Sequence, residues 1–189
     1  MILLYVLIPT AVIALLLGGD LAALGNVDIK GGWLALLAFG VQAALIIYST
    51  NREPYLAVIL LLTHATVVGV FIHNRYLPGF RLAALGLCLN VLVMTANGGW
   101  MPITPRAAHL VSGESAVQFA PGEHPPASKD IVLAREDTRL WFLSDIIYLG
   151  FPRRTVVSLG DIFLTGGIAY FLLITLLKHR TYDYVTTTH

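Results

Sequence analysis

Polar side chains occur inside stretches that are otherwise apolar, and they are the first candidates for chemistry. In residues 156–177, Ser158, Asp161 and Thr165 are spaced i, i+3 and i+7, which places them on one face of a helix. An ionisable group in an apolar segment is costly enough to mark a functional site by default. The Asp161 carboxylate can form a structural ion pair, or it can handle a proton or bind a polar headgroup.

An arginine is the predicted partner of Asp161. Arg153 and Arg154 lie at the same end of the apolar segment, whereas Arg75 lies at a distant turn. The sequence therefore predicts a polar pocket around Asp161, with Arg153 or Arg154 as its nearest positive charge.

Two amides share a second apolar stretch. Asn90 and Asn97 are seven residues apart, which is two helical turns, so both project from one stripe of a helix. Amide side chains commonly form hydrogen bonds between membrane helices, so the pair can stabilise the packing of two helices. The same stripe can instead face a ligand in a polar groove, and the spacing leaves both interpretations open.

The second stretch ends in an abrupt break. Asn97 is followed by Gly98, Gly99, Met101 and Pro102, which predict a turn and a change of chain direction. Irregular backbone at membrane depth is tolerated only where protein or trapped water satisfies its polar groups. We therefore expect residues 98–155 to pack over the helix ends as a lid on the polar pocket.

The elements that position these residues are predicted to be membrane helices. The 189-residue chain is 57% hydrophobic and only 12% charged, about half the charged fraction of a typical soluble domain. Crossing a bilayer takes about 20 mostly apolar residues, with some slack. The stretches that meet this requirement are 2–18, 32–49, 55–73, 80–97 and 156–177.

The predicted fold is all-α: one integral membrane helix bundle over residues 1–189, with about five transmembrane helices. The long segment between the fourth and fifth spans is predicted to contain a short helix over Pro105–Ser112, begun by Thr104. A second short helix is predicted from Asp137 to about Leu149, apolar and lying at the membrane interface. Asp145 then either faces water or, if the helix dips inward, pairs with Asp161 for acid–base work.

Charge bias in the loops suggests an orientation. The face that carries Lys30, Arg75, Arg81, Lys178 and Arg180 is predicted to be cytoplasmic, with the N-terminus outside and the C-terminus inside.

Net charge is +1, which gives no case for nucleic acid. His64 and His73 lie on opposite sides of their predicted helix, so they do not chelate one ion, and no metal site is predicted. Cys88 is predicted to be a small buried hydrophobe.

Four stretches resemble the pattern of an uncharacterised bacterial integral-membrane family, catalogued as a domain of unknown function. They are "NRYLPG", "NVLVMTANGGWMP", "LSDI" and "SLGDIFLTGG". The resemblance implies a multi-pass protein of the bacterial cytoplasmic membrane. It implies no activity, and it centres on Asn90, Asn97, Met101, Pro102 and Asp161.

Three classes of function stay open. The sequence favours a non-catalytic membrane subunit or assembly partner of a larger complex, because the chain is small and lacks phosphate-loop, nucleophile-elbow and zinc-helix motifs. The second class is an intramembrane enzyme or carrier that binds a lipid or other amphiphile with Asn90, Asn97 and Asp161. The third is a small transporter, for which no inverted repeat is visible. The expected partners are the bilayer and other membrane subunits, and a bound lipid is the one ligand that the pattern suggests.

Overall fold

The computed structural model describes residues 2–48, 53–112, 119–126 and 128–177. The predicted orientation of the C-terminus depends partly on Lys178 and Arg180, which lie outside the described residues. The helices are α1 (Ile2–Leu16), α2 (Ala22–Gly25), α3 (Gly32–Tyr48), α4 (Pro54–His73), α5 (Phe80–Ala96), α6 (Pro105–Ser112) and α7 (Leu159–Leu177). The strands are β1 (Met101–Ile103), β2 (Asp130–Val132), β3 (Ile147–Leu149) and β4 (Thr155–Val157).

The five long helices form a row rather than a closed bundle. The principal contacts run in the order α3, α4, α5, α7 and α1, so α5 and α7 lie at the centre. The outer helices expose large apolar side chains, including Leu16 at 82% and Leu36 at 74%. A helix that is apolar on every side needs either a protein core or lipid around it. Two helices, α4 and α7, are long and apolar enough to cross a membrane; α1, α3 and α5 are apolar but shorter.

Glycines bring α5 and α7 into backbone contact. A Cβ added at Gly86 would overlap the carbonyl oxygen of Gly160, and one added at Gly167 would lie 2.6 Å from the backbone nitrogen of Ala83. Two glycines seven residues apart on α7 thus face the same side of the helix, as their spacing predicts. The close approach places polar residues of the two helices within hydrogen-bonding distance of each other.

The described residues between α5 and α7, which are 98–112, 119–126 and 128–157, fold into a small unit that we call the cap. β1 and β2 pair in parallel, and β3 and β4 pair as an antiparallel hairpin. The cap has its own small core, formed by Ile103, Ala107, Ala108, Val132 and Val156.

The cap packs on the ends of α4 and α5. Trp100, Met101 and Leu143 of the cap join a second core with Leu60 and Met94 of those helices. The short helix α6 has the predicted bounds, and Thr104 accepts a hydrogen bond from the backbone N–H of Ala107 at 3.2 Å.

Two expectations from the sequence are wrong, and a third, the all-α assignment, is correct only in that most of the described chain is helical. The predicted helix from Asp137 to Leu149 is absent: this stretch forms two short 3-10 turns, Arg135–Asp137 and Trp141–Leu143, followed by β3. Leu140 has φ 55°, which interrupts a helix, and the Asp145 N–H bonds the Pro102 carbonyl at 3.1 Å instead of a carbonyl in its own segment. The four strands also make the all-α assignment too simple. Cys88 is exposed rather than buried.

Candidate functional site

A hydrogen-bonded network of three side chains joins α5 to the start of α7. Asn90 donates from Nδ2 to Asp161 Oδ1 at 2.8 Å and accepts at Oδ1 from Ser158 Oγ at 2.8 Å. Asn90 is 3% exposed and Ser158 is fully buried. The polar face of α7 with Ser158 and Asp161 therefore meets the face of α5 that carries Asn90. Both the nitrogen and the oxygen of the Asn90 side-chain amide have a hydrogen-bond partner.

Ser158 and Asp161 also cap α7. Ser158 precedes the first residue of the helix, and its Oγ accepts a hydrogen bond from the Asp161 backbone N–H at 3.0 Å. The Asp161 Oδ2 in turn accepts from the Ser158 N–H at 3.4 Å. This reciprocal pair is a capping box, and a carboxylate in the first turn also suits the helix dipole. Local structure alone therefore accounts for the acid at this position.

The positive charge near Asp161 comes from the cap and not from an arginine. Lys129 precedes β2, and its ammonium interacts with the carboxylates of Asp161, Asp145 and Asp130. Burial opposes the charged form of Lys129, but these carboxylates outweigh it and raise its pKa above the ordinary value. We call Lys129, Asp130, Asp145, Asp161, Asn90 and Ser158 the polar cluster.

The two acids that the cap contributes are held in an unusual environment. Burial raises the pKa of the Asp145 carboxyl well above its ordinary value; Lys129 opposes this shift, while Asp130 and Asp161 add to it. Burial likewise raises the pKa of Asp130, against the effect of Lys129. In the described part of the chain, Oδ1 of Asp130 and Oδ1 of Asp145 are buried without a hydrogen-bond partner. Both observations favour a protonated acid in the cluster, since an unpaired buried carboxylate is costly.

Asn97 bonds the backbone of the cap, whereas Asn90 bonds side chains at the start of α7. Asn97 follows the last residue of α5 and donates from Nδ2 to the carbonyls of Val93 at 2.7 Å and Arg139 at 2.9 Å. Its Oδ1 accepts from the Arg139 backbone N–H at 3.0 Å. Asn97 thus fastens the cap backbone to the end of α5 and is not part of the polar cluster.

The break after Asn97 is a left-handed turn, as its glycines predict. Gly98 has φ 76° and Gly99 has φ 92°, and a Cβ on Gly99 would lie 2.6 Å from the Cβ of Ala57. Met101 and Pro102 are then fully buried in β1. The chain therefore turns tightly and enters the cap immediately, with its backbone bonded to β2.

Several predicted site residues lie elsewhere. Thr165 is buried further along α7, outside the hydrogen-bonded network. Arg153 and Arg154 are exposed in the turn between β3 and β4, and Arg75 is exposed at the other end of α5. The predicted ion pair between Asp161 and Arg153 or Arg154 is therefore wrong. Asp145 is 3% exposed, which excludes the water-facing interpretation. Its carboxyl interacts electrostatically with Asp161, but the inward-dipping helix on which the alternative depended is absent.

The described residues contain no group of three or more histidine, cysteine or acidic side chains arranged to hold a metal ion. Lys129 and Asp130 were not predicted as site residues. The only signal for them was a charged pair immediately before the apolar run Ile131–Leu133.

Comparisons with known proteins give a family and a relative. A family model with the description "Family of unknown function (DUF5317)" matches residues 26–173. A protein of Thermotoga maritima, described as uncharacterised, is 28% identical over 171 residues, which cover 89% of this chain and 90% of that protein. No solved structure matches the chain.

Proposed function

Since the chain belongs to DUF5317, a family of unknown function, we propose from its geometry that it is a non-catalytic integral membrane protein that holds the cap at the membrane surface for other subunits of a larger complex. The observation that carries this proposal is the use of the polar cluster. Asn90, Ser158 and Asp161 bond α5 to α7, and the charge of Lys129 links the cap to them. Asn90 and Asp145 are each 3% exposed, so these two side chains offer almost no surface to a substrate.

The membrane location is supported by the row of apolar helices. Two of them meet the length and composition of a membrane span, and the outer pair exposes apolar side chains along most of its surface. Soluble monomers rarely expose contiguous apolar surface of this kind. We propose that all five long helices lie in the bacterial cell membrane. The cap then lies on the outer side with the N-terminus, and the turn after α4 lies on the cytoplasmic side.

The surface offered to partners is the apolar edge of the cap. Phe142 is 53% exposed and Phe151, in the turn of the hairpin, is 88% exposed. Aromatic side chains are enriched at protein interfaces and depleted from surfaces that face only water. Because the polar cluster fixes the cap on the helices, this edge is presented in one orientation.

The test is native mass spectrometry of the tagged chain, extracted from its own membrane in mild detergent. We expect a defined partner subunit at fixed stoichiometry, which is lost in the double variant Phe142→Ser/Phe151→Ser. The control is Leu21→Ser, which removes an apolar side chain that is 56% exposed at the opposite end of the molecule. The proposal would be contradicted if the wild type and both variants were each extracted without a bound partner.

The unpaired acid oxygens favour a second candidate, a proton-handling site beneath the cap. A carboxyl that keeps its proton at neutral pH can take part in acid–base chemistry when the cap opens. Infrared spectroscopy tests for this state: the C=O stretch of a protonated carboxyl is expected at neutral pH and is expected to disappear in Asp145→Asn. A spectrum without that band at neutral pH would remove this candidate.

A further inference from the structure

A cavity of about 410 Å³ lies at the opposite end of α5 from the cap. It is formed by the turn between α4 and α5 together with one residue of α7. Arg75, Tyr76 and Arg81 contribute polar groups to its lining, and Leu82 and Tyr170 form part of its less polar wall. Neither the cap nor the polar cluster contributes to it.

Two guanidinium groups bring positive charge to this cavity. Arg75 donates from Nη1 to the Ile72 carbonyl at 3.3 Å, and Arg81 donates from Nε to the Arg75 carbonyl at 3.3 Å. In the described part of the chain, neither group hydrogen-bonds a carboxylate. An arginine carries five N–H donors in a planar fork that matches phosphate oxygens. Most of these donors are therefore available to an anion in the cavity.

The turn that carries the arginines is held rigidly. Asn74 is fully buried, and it donates from Nδ2 to the carbonyls of Lys30 and Val70, each at 2.8 Å. Its Oδ1 accepts from the Lys30 backbone N–H at 2.9 Å. Gly79, with φ 77°, packs directly on the backbone of Gly167 and fixes the start of α5. The two positive groups are thus brought together before any ligand binds, which reduces the cost of binding.

Below the arginines, the surface becomes apolar. Leu82 is 39% exposed, Leu85 is 48% exposed and Tyr170 is 52% exposed, all on the outward side of α5 and α7. A basic end that continues into an apolar surface matches a molecule with an anionic head and a hydrocarbon tail.

We propose that this cavity binds the phosphate group of an anionic phospholipid, with Arg75 and Arg81 on the phosphate and the acyl chain along Leu82, Leu85 and Tyr170. The inference rests on the membrane location given under the proposed function, and it is independent of any partner subunit. Anionic lipids are enriched in the cytoplasmic leaflet, and the proposed orientation places this turn there.

The experiment uses the purified full chain in detergent and needs no partner, so its failure is distinguishable from failure of the assembly role. Phosphatidylglycerol and phosphatidylcholine are titrated, and the bound fraction is measured by native mass spectrometry. We expect one phosphatidylglycerol to bind in preference to phosphatidylcholine. The variant Arg75→Gln/Arg81→Gln is expected to weaken phosphatidylglycerol binding at least tenfold, and Arg75→Lys/Arg81→Lys to weaken it less.

The matched control is Arg106→Gln/Arg154→Gln, which removes two exposed arginines from the cap and is expected to leave binding unchanged. Circular dichroism checks that every variant keeps its helix content. Equal binding of phosphatidylglycerol by the wild type and by Arg75→Gln/Arg81→Gln would overturn the proposal. Complete displacement of the lipid by millimolar inorganic phosphate would also overturn it, in favour of a site for free phosphate.

Discussion

The two ends of the α5–α7 pair carry charge in opposite ways. At the cap end, Lys129 interacts with the carboxylates of Asp130, Asp145 and Asp161, of which Asp145 is buried and the other two are partly buried. At the other end, Arg75 and Arg81 lie in an open cavity and bond only backbone carbonyls within the described residues. Burial makes the first group expensive unless its members satisfy one another, so it acts as an internal fastening. The second group remains available to a ligand.

Removing the cation from the cap end is expected to have the largest effect. Lys129→Met removes the ammonium group that neutralises the carboxylates of Asp145, Asp130 and Asp161. Removing one partner from a buried set of opposite charges costs about 3 kcal/mol. We expect the free energy of unfolding, measured by thermal denaturation in detergent, to fall by that amount at neutral pH. The fall is expected to be smaller at acid pH, where the carboxyls take up protons.

Arg154→Met is the control for this variant, because Arg154 is exposed in the hairpin turn of the same cap. Its denaturation curve is expected to match that of the wild type. If Lys129→Met and Arg154→Met behave alike, the buried charges do not hold the cap.

The close contact of α5 and α7 gives the next largest effect. Gly160→Ala would place a methyl group against Asn90 Oδ1 and 2.6 Å from the Gly86 carbonyl oxygen. The helices must separate, which we expect to lower the free energy of unfolding by about 1–3 kcal/mol. Thermal denaturation, followed by loss of the monodisperse peak, measures the change.

Gly166→Ala is the matched control on the same helix. Its nearest neighbour would be the Leu82 Cδ2 atom at 3.9 Å, which is ordinary contact. Since alanine favours a helix over glycine by about 0.5–1 kcal/mol, we expect no loss of stability. A similar loss in both glycine variants would mean that the contact is not as tight as described.

The pH dependence of stability sharpens the comparison further. Asp145 has a pKa well above its unfolded value of about 3.8, so between these two pKa values the folded chain binds a proton that the unfolded chain does not. Stability therefore falls as the pH rises from about 4 through the raised pKa, and is constant above it. Asp145→Asn is expected to flatten this part of the profile. An equally steep profile in the variant would assign the dependence to another group, of which Asp130 is the first to test.

The smallest effect is expected from removing the hydrogen bonds that Asn97 makes at the end of α5. Asn97→Ala removes the bonds to the Arg139 backbone and is expected to cost about 1–2 kcal/mol. Thr95→Ala, two residues earlier, removes only an exposed bond to the Val91 carbonyl within the helix. Limited proteolysis in the 135–143 region should accelerate in the first variant and stay unchanged in the second.

The sequence predicted the bounds of the long helices well because a run of apolar residues, which is a local property, marks each of them. α5 ends at Ala96 and α7 begins at Leu159, within a few residues of the predicted limits. The spacing predicted a polar stripe on each of these two helices, and the structure added that Asn90 bonds Ser158 and Asp161. The cap was harder, since its strands are only three residues long and each is stabilised by a partner distant in sequence.

The charge partner of Asp161 was missed for the same reason. Arg153 and Arg154 are near in sequence. Lys129 comes near enough to interact with the carboxylate only because β2 pairs with β1, which follows the turn at Gly98 and Gly99. Sequence spacing contains no information on that pairing. The helical assignment of residues 137–149 likewise failed because the Asp145 N–H pairs with β1.

The most direct test of the central claim, that the polar cluster fastens the cap to α5 and α7, is hydrogen–deuterium exchange of the cap in the intact protein. The backbone N–H groups of Met101 and Asp145 bond the carbonyls of Lys129 and Pro102. We predict that they exchange as slowly as the middle of α5 in the wild type, and much faster in Lys129→Met while α5 stays protected. Exchange of the wild-type cap within seconds, or equal protection in Lys129→Met, would contradict the account.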